Sequence, residues 1–250
     1  MKTIIVFLIL MPFVASSQSN KTGWERYHVF GNIREIKSTL YPAIVKNGSI
    51  EPDLSKAIHS EDHSFDTAGF VTEHYAETNG RLYISVYRAN SDDILYTLHP
   101  ANSYTGDLDT FYYRNGLADS MITKDRDGTV HRTAKLKTDA NGAITEWIRR
   151  DARGSLQEIQ NREYKNGVCI YESVKDGAGN TVRKMQTQLD DAGRAKIFRI
   201  FNDKEELYYA RLEYIEFDEF NNWTKSIEYN KEGKAVRVTK RWFLYYGQKK

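Results

Sequence analysis

The sequence predicts an all-β fold: an antiparallel meander of tandem β-hairpins in a single long sheet, twisted or curled. Three observations predict it. Turn signatures recur at near-constant spacing, the segments between them alternate in β-forming residues, and proline is absent after Pro100. The same spacing is compatible with a two-sheet sandwich or a barrel, and both stay open as alternatives.

The turns come first because they set the period. Asp-x-x-Gly stands at Asp66/Gly69, Asp125/Gly128, Asp139/Gly142, Asp151/Gly154, Asp176/Gly179 and Asp190/Gly193. Related turns use asparagine at Asn79-Gly80, Asn115-Gly116, Asn166-Gly167 and Asn230 to Gly233. An Asp opening a type I turn accepts backbone N–H groups on its side chain, and a Gly three residues on takes positive φ. That is the hairpin loop with a bulge, while Asn-Gly supplies the tighter primed turn. The glycines at 116, 128, 142, 154, 167, 179 and 193 are 12 to 14 residues apart. Four residues for each turn leave about eight for each strand, an ordinary length. By this count the chain holds on the order of 14 strands.

The strands read in order. Leu82, Ile84 and Val86 alternate with Tyr83, Ser85 and Tyr87. Ile144 and Ile148 are expected opposite Trp147, and Ile197 and Phe201 opposite Phe198 and Ile200. Val236, Val238, Trp242 and Leu244 share one face near the end. Thr181 to Leu189 is polar on both faces, which predicts a stretch of sheet wet on both sides, held by cross-strand pairs. After the leader, proline occurs only at Pro42, Pro52 and Pro100. It removes a ladder donor, so a second half without it suits unbroken pairing. Residues 47–62 are the one candidate for a loop with a short helix, at Asp53 to His59. No linker divides residues 18–250, which read as one domain.

The N-terminus reads as an address. Lys2 precedes an apolar run from Ile4 to Val14, and Ala15 and Ser17 occupy the positions a signal peptidase reads. Residues 1–17 are therefore expected to be a signal peptide. The run is shorter than the about 20 residues that span a bilayer, and no later segment qualifies. No cysteine sits at the cut, so the expectation is a soluble exported protein, periplasmic or extracellular, and not a lipoprotein. The single cysteine, Cys169, has no internal partner and reads as a small buried hydrophobe.

Charge narrows the function. The chain carries 36 Lys+Arg against 34 Asp+Glu, a net +2, with both signs interspersed. That is a solvated β surface and not a nucleic-acid stripe. Counting Tyr, 40% of the residues are apolar. An ordinary domain has about 45–50%, so a thin core follows.

Some of the turns resemble a known family. Phe65-Asp66-Thr67-Ala68-Gly69-Phe70-Val71 and Leu189-Asp190-Asp191-Ala192-Gly193-Arg194-Ala195 resemble the Tyr-Asp (YD) repeats of RHS-type extracellular proteins. Phe217-Asp218-Glu219-Phe220-Asn221-Asn222-Trp223-Thr224 resembles the variant in exported proteins of Bacteroides-type bacteria. The aromatic before Asp is present only at Phe65 and Phe217; Lys124, Thr138, Arg150, Lys175 and Leu189 replace it elsewhere. The resemblance implies tandem hairpins in an envelope protein, sometimes glycan-binding or scaffolding. It carries over no catalytic residue, because its Asp and Gly build turns.

Candidate sites follow from composition. Tyr208, Tyr209 and Tyr214 lie on one long strand that runs into Trp223, and Trp242 and Tyr245 are among the aromatics that close the chain. Aromatics of a strand that face solvent together form a stacking platform for sugar rings or a partner's apolar patch. These six are the candidate ligand-binding residues, and the ligand is a glycan or an envelope protein. His59, His63 and His74 lie near Glu61, Asp62 and Glu73, but no His-Glu-x-x-His pattern exists. The group reads as a solvated polar loop with no metal. Asp92, Asp93, His99, Asp107 and Asp109 break the regular spacing, and paired carboxylates there are the basis of an alternative, an envelope glycan hydrolase. The sequons at Asn20, Asn47 and Asn222 read as accidental. The first reading is a non-enzymatic binding or scaffold module without catalytic residue or cofactor. Oligomeric state is left open.

Overall fold

The computed structural model describes residues 29–78, 81–87, 94–98, 108–114, 117–125, 127–139 and 142–247. The signal-peptide segment and the turns at Asn79-Gly80 and Asn115-Gly116 lie outside them. The described residues form 17 strands and no helix. In chain order these are β1 (Ile33–Lys46), β2 (Ser49–Pro52), β3 (His59–Phe65), β4 (Val71–Thr78), β5 (Arg81–Tyr87), β6 (Ile94–Leu98) and β7 (Leu108–Arg114). Then follow β8 (Leu117–Lys124), β9 (Val130–Thr138), β10 (Ile144–Asp151), β11 (Leu156–Lys165) and β12 (Val168–Asp176). The last are β13 (Thr181–Leu189), β14 (Ala195–Phe201), β15 (Glu206–Phe217), β16 (Trp223–Tyr229) and β17 (Ala235–Tyr245).

From β3 to β17 each strand pairs antiparallel with the next, the predicted meander. The sheet curls until its ends meet on β1. That strand pairs with β17 along one edge, from Ile33↔Tyr245 to Pro42↔Arg237. Its other edge pairs with β3, from Glu35↔Ser64 to Leu40↔His59. These 16 strands thus each have a hydrogen-bonded neighbour on both sides, which leaves no long edge for another chain to extend. β2 stands apart, paired only with the far end of β1.

The turns explain the regularity. At Asp151 the side-chain Oδ1 accepts the N–H groups of Arg153 (2.9 Å) and Ser155 (2.8 Å), and Gly154 donates back to the Asp151 carbonyl at 3.0 Å. Asp66, Asp125, Asp176, Asp190 and Asp218 open turns of the same kind. Residues 47–62 differ from the expectation. Asn47 and Gly48 both take positive φ and close the β1–β2 hairpin. Asp53 makes an Asx turn, its Oδ1 accepting the Ser55 hydroxyl at 2.6 Å, in place of the helix expected at Asp53 to His59.

One face of the sheet is buried and points inward. Across β17, β1, β3, β4 and β5, one row of direct partners runs Phe243, Ile36, His63, His74, Ser85. Val29, Ile33, Ile36, Phe65, Val71 and Tyr245 make one apolar cluster, and Ala118, Met121, Ala134, Leu136, Ile144 and Trp147 another. Phe111 packs against both and meets Trp147 edge-on at 6.1 Å. Ile144 was expected opposite Trp147. A register shift between Ile144 and Glu146 turns it to the same side, because one extra residue reverses the alternation.

β13 is not wet on both faces. Its burial alternates, with Thr181, Arg183, Met185 and Thr187 covered and Val182, Lys184 and Gln186 exposed. The inner face here is polar yet paired. Glu172 of β12 accepts from Arg162 Nε (3.0 Å), Arg183 Nη2 (2.5 Å) and Gln160 Nε2. A buried carboxylate with two guanidinium partners and an amide has its charge and lone pairs satisfied, the condition under which such burial is tolerated.

Candidate functional site

The site is assembled where β15, β16 and β17 approach the seam. Tyr208 and Tyr209 are consecutive on β15 and so point to opposite faces. Tyr208 turns inward, edge-on to Phe198 at 6.1 Å; its hydroxyl donates to Glu228 (2.5 Å) and accepts from Arg237 Nη1 (2.8 Å). Burial and the Glu228 carboxylate push its phenol above the usual range. Tyr209 stacks under the Arg199 guanidinium at 5.5 Å.

Tyr214 and Trp223 come together, with ring centroids 5.3 Å apart. Arg194 lies 4.6 Å over Tyr214 and Arg241 lies 3.8 Å over Trp223, so the two rings sit between two cations. Such contacts are worth about 0.5–2 kcal/mol each. The Tyr214 hydroxyl donates to the Ala195 carbonyl at 2.8 Å, and burial pushes its pKa up to about 12. These two aromatics therefore bind β14, β15, β16 and β17 to one another.

Trp242 is placed differently. It shares a face with Val238, yet Val238 is fully buried while Trp242 is 47% exposed. The difference comes from β2, which packs over this end of β17 and whose Glu51 reaches Lys225 at 3.4 Å. Trp242 lies beyond that cover, on the wall of a cavity of about 330 Å³. Tyr245 lines the same cavity, as do Glu216, Asp218, Lys240 and Arg241. Tyr245 is only 8% exposed; its hydroxyl donates to Asp218 and accepts from the Asn222 amide at 2.9 Å. The cavity thus combines one solvent-facing indole with two acidic and two basic side chains.

The six aromatics do not all share one surface. Trp242 and Tyr245 meet at the cavity, Tyr214 and Trp223 at the cation-flanked pair, and Tyr208 and Tyr209 straddle β15. Cys169 is half-buried, and burial pushes its thiol up to about 11. Asn222 is 2% exposed, its amide fully engaged, so its sequon is closed off.

Elsewhere the structure gathers what sequence spacing had left apart. Glu61 and His63 alternate onto the inner face of β3, and His74 stands directly opposite His63 on β4. The two imidazoles stack at 4.4 Å, and each presents Nε2 to Glu61 Oε1, at 3.4 Å from His63 and 3.1 Å from His74. This is a buried strand pair, not the solvated loop that the sequence suggested. Burial holds His63 near 3, neutral at ordinary pH. The neighbouring imidazoles outweigh burial for Glu61 and keep its carboxyl at about 2, ionised. In the irregular region Asp109 accepts the Thr123 hydroxyl at 2.6 Å. Asp92, Asp93, His99 and Asp107 lie outside the described residues.

No protein-family model matches the chain, and no curated protein matches it in sequence. Among solved structures it superposes on a porin-like protein from Bacteroides uniformis at TM-score 0.49 and 10% identity, covering 85% of this chain and 98% of that one. A porin-like protein from Bacteroides vulgatus gives TM-score 0.42 and 7% identity over 86% and 99%. The TcdB2-TccC3-TEV structure gives 0.22 and 12% identity over 68% of this chain and 10% of that one. None reaches 0.5, and the functional reading rests on the chain's own geometry. Among the described residues no helix is long and apolar enough to cross a membrane.

Proposed function

We propose that this protein is a non-enzymatic, exported binding module that holds an envelope glycan in the cavity beside Trp242. The observation that carries the reading is the indole itself: 47% exposed, on the wall of a cavity of about 330 Å³, on the strand face where Val238 is buried. An indole face suits the C–H face of a sugar ring. Glu216 and Lys240 supply an acceptor and a donor for hydroxyl or acidic substituents around it. Two carboxylates, Glu172 and Asp109, support a non-catalytic role. Glu172 is saturated by two arginines and an amide, and Asp109 is bonded to Thr123. The signal-peptide pattern of residues 1–17 supports export.

The test is a titration of the mature chain with soluble peptidoglycan and polysaccharide fragments, followed by indole fluorescence. Binding that falls about tenfold or more in Trp242→Ala at unchanged melting temperature supports the reading. Unaltered binding in that variant removes the cavity from it. Turnover of any fragment, lost in Asp107→Asn or Asp109→Asn, replaces it with the hydrolase. Retention of an envelope protein in a pull-down, without glycan, makes the partner a protein.

A further inference from the structure

We propose that Glu61, His63 and His74 form a zinc site on the inner face of the curled sheet, tying β3 to β4 beside the seam on β1. The ligand atoms of the three residues all lie within 4.8 Å of one another. Glu61 and His63 are buried, and the His74 side chain is only 13% exposed. Two imidazoles and one carboxylate are a recurrent protein set for this ion, with the fourth position left to water.

The two distances from the carboxylate lie close to what the ion needs. Zinc holds nitrogen and oxygen ligands at about 2.0–2.2 Å, which puts the ligand atoms of a tetrahedral site about 3.3–3.6 Å apart. Glu61 Oε1 is 3.4 Å from His63 Nε2 and 3.1 Å from His74 Nε2. An ion-free network of hydrogen bonds is the competing account, and the geometry speaks against it at one contact. Glu61 Oε1 and His74 Nε2 stand 3.1 Å apart and are both buried, with no well-aligned hydrogen bond between them. A carboxylate oxygen and an imidazole nitrogen placed in this way can share one cation. Buried polar atoms left so in a native fold call for such an explanation.

The strand geometry supplies the preorganisation. Residues 61 and 63 project from the same face of one strand, and His74 is the direct antiparallel partner of His63. A carboxylate two residues before one histidine and diagonal to the other across the strand pair therefore meets both without any loop. His59 on β3 and Arg241 on β17 are the other charged or titratable groups that act on the cluster. Arg241 is engaged with the Trp223 ring at 3.8 Å, and the Glu61 carboxylate faces the cation that would bind.

The experiment uses the purified mature chain, stripped with a chelator and titrated with zinc chloride against a chromophoric competitor. The expected result is one zinc per chain, a higher melting temperature with zinc, and intense visible bands when cobalt(II) replaces it. Glu61→Gln and His74→Gln should each weaken zinc by more than about 100-fold, beyond the loss typical of groups that only support a ligand. They should also abolish the thermal shift. His131→Gln, at a half-exposed histidine beside Asp125, should change neither. Failure of the folded wild type to retain zinc overturns the site, as does wild-type affinity in both site variants. If those variants do not fold, the wild-type cobalt spectrum decides: intense bands support the site, and the weak bands of an octahedral ion overturn it.

Discussion

Asn222, in the turn between β15 and β16, holds the backbone of Phe30 across 192 residues of sequence. The Phe30 N–H donates to its Oδ1 at 2.6 Å, and its Nδ2 donates to the Phe30 carbonyl at 2.8 Å and to the Tyr245 hydroxyl at 2.9 Å. One amide therefore serves as a substitute strand partner for the segment entering β1. Asn222→Ala should lose about 1–3 kcal/mol, because the part-buried hydrogen bonds to the Phe30 backbone and to Tyr245 are lost. Asn222→Asp should cost more, since it removes the donor and sets a second carboxylate beside Asp218. Denaturant midpoints check both, with hydrogen exchange at the Phe30 amide as the local readout.

Gly31 adjoins this clasp. It has φ +88°, and a Cβ there would stand 2.9 Å from Cε1 of Tyr245. Gly31→Ala combines left-handed strain with a clash against a pinned ring. Gly154, at φ +85° with open space around it, carries the strain alone. Gly154→Ala should cost about 1–2 kcal/mol and Gly31→Ala more than that, as measured by thermal unfolding.

Glu172 anchors the polar interior. Glu172→Ala should destabilise by about 3–5 kcal/mol, because Arg162 remains buried with an uncompensated charge. Arg183→Ala should cost much less, since that side chain is 38% exposed and water can replace its partner. Paired urea titrations of the two variants measure the difference.

Alkali should weaken the fold. The Cys169 thiol is pushed up to about 11 from 9.0, and the Tyr214 phenol up to about 12 from 10.0, both chiefly by burial. Each group stays protonated longer folded than unfolded. Their stabilisation is thus complete below about pH 9 and lost as pH rises toward 11 and 12. Urea midpoints should hold level up to pH 9 and fall above it. Near pH 8, iodoacetamide should modify native Cys169 about 100-fold more slowly than the unfolded chain, in proportion to the thiolate present.

The meander was legible because its turns are chemically explicit. Asp-x-x-Gly announces each hairpin by the side-chain acceptor and the positive-φ residue it needs. Even Asp218-Glu219-Phe220-Asn221 follows the rule, with Asn221 at φ 65° in place of glycine. Side-chain facing was less legible. A one-residue shift at Thr145 moved Ile144 to the side of Trp147, and bulges leave little mark in composition. Gly177, inside the Asp176 turn, has a role that no turn pattern reveals: a Cβ there would run into the Leu156 carbonyl oxygen. The Glu61–His63–His74 grouping was not legible because so polar a segment reads as a solvated loop and not as a strand pair. With period 2 and a turn centred on Asp66 to Gly69, the three residues face one another. The exposure of Trp242 could not be read at all, since it depends on where the β2 cover ends.

The seam on β1 also fixes when the molecule can be finished. On a growing chain β1 can find β3 early, but its other edge must wait until β17 has been made. Contacts so distant in sequence slow folding, because chain closure is paid for before they form. During that interval β1 offers a bare row of donors and acceptors, the template on which aggregation begins. A protein truncated before Ala235 should hold that vulnerable intermediate indefinitely, and a separately supplied β17 peptide should be able to complete it.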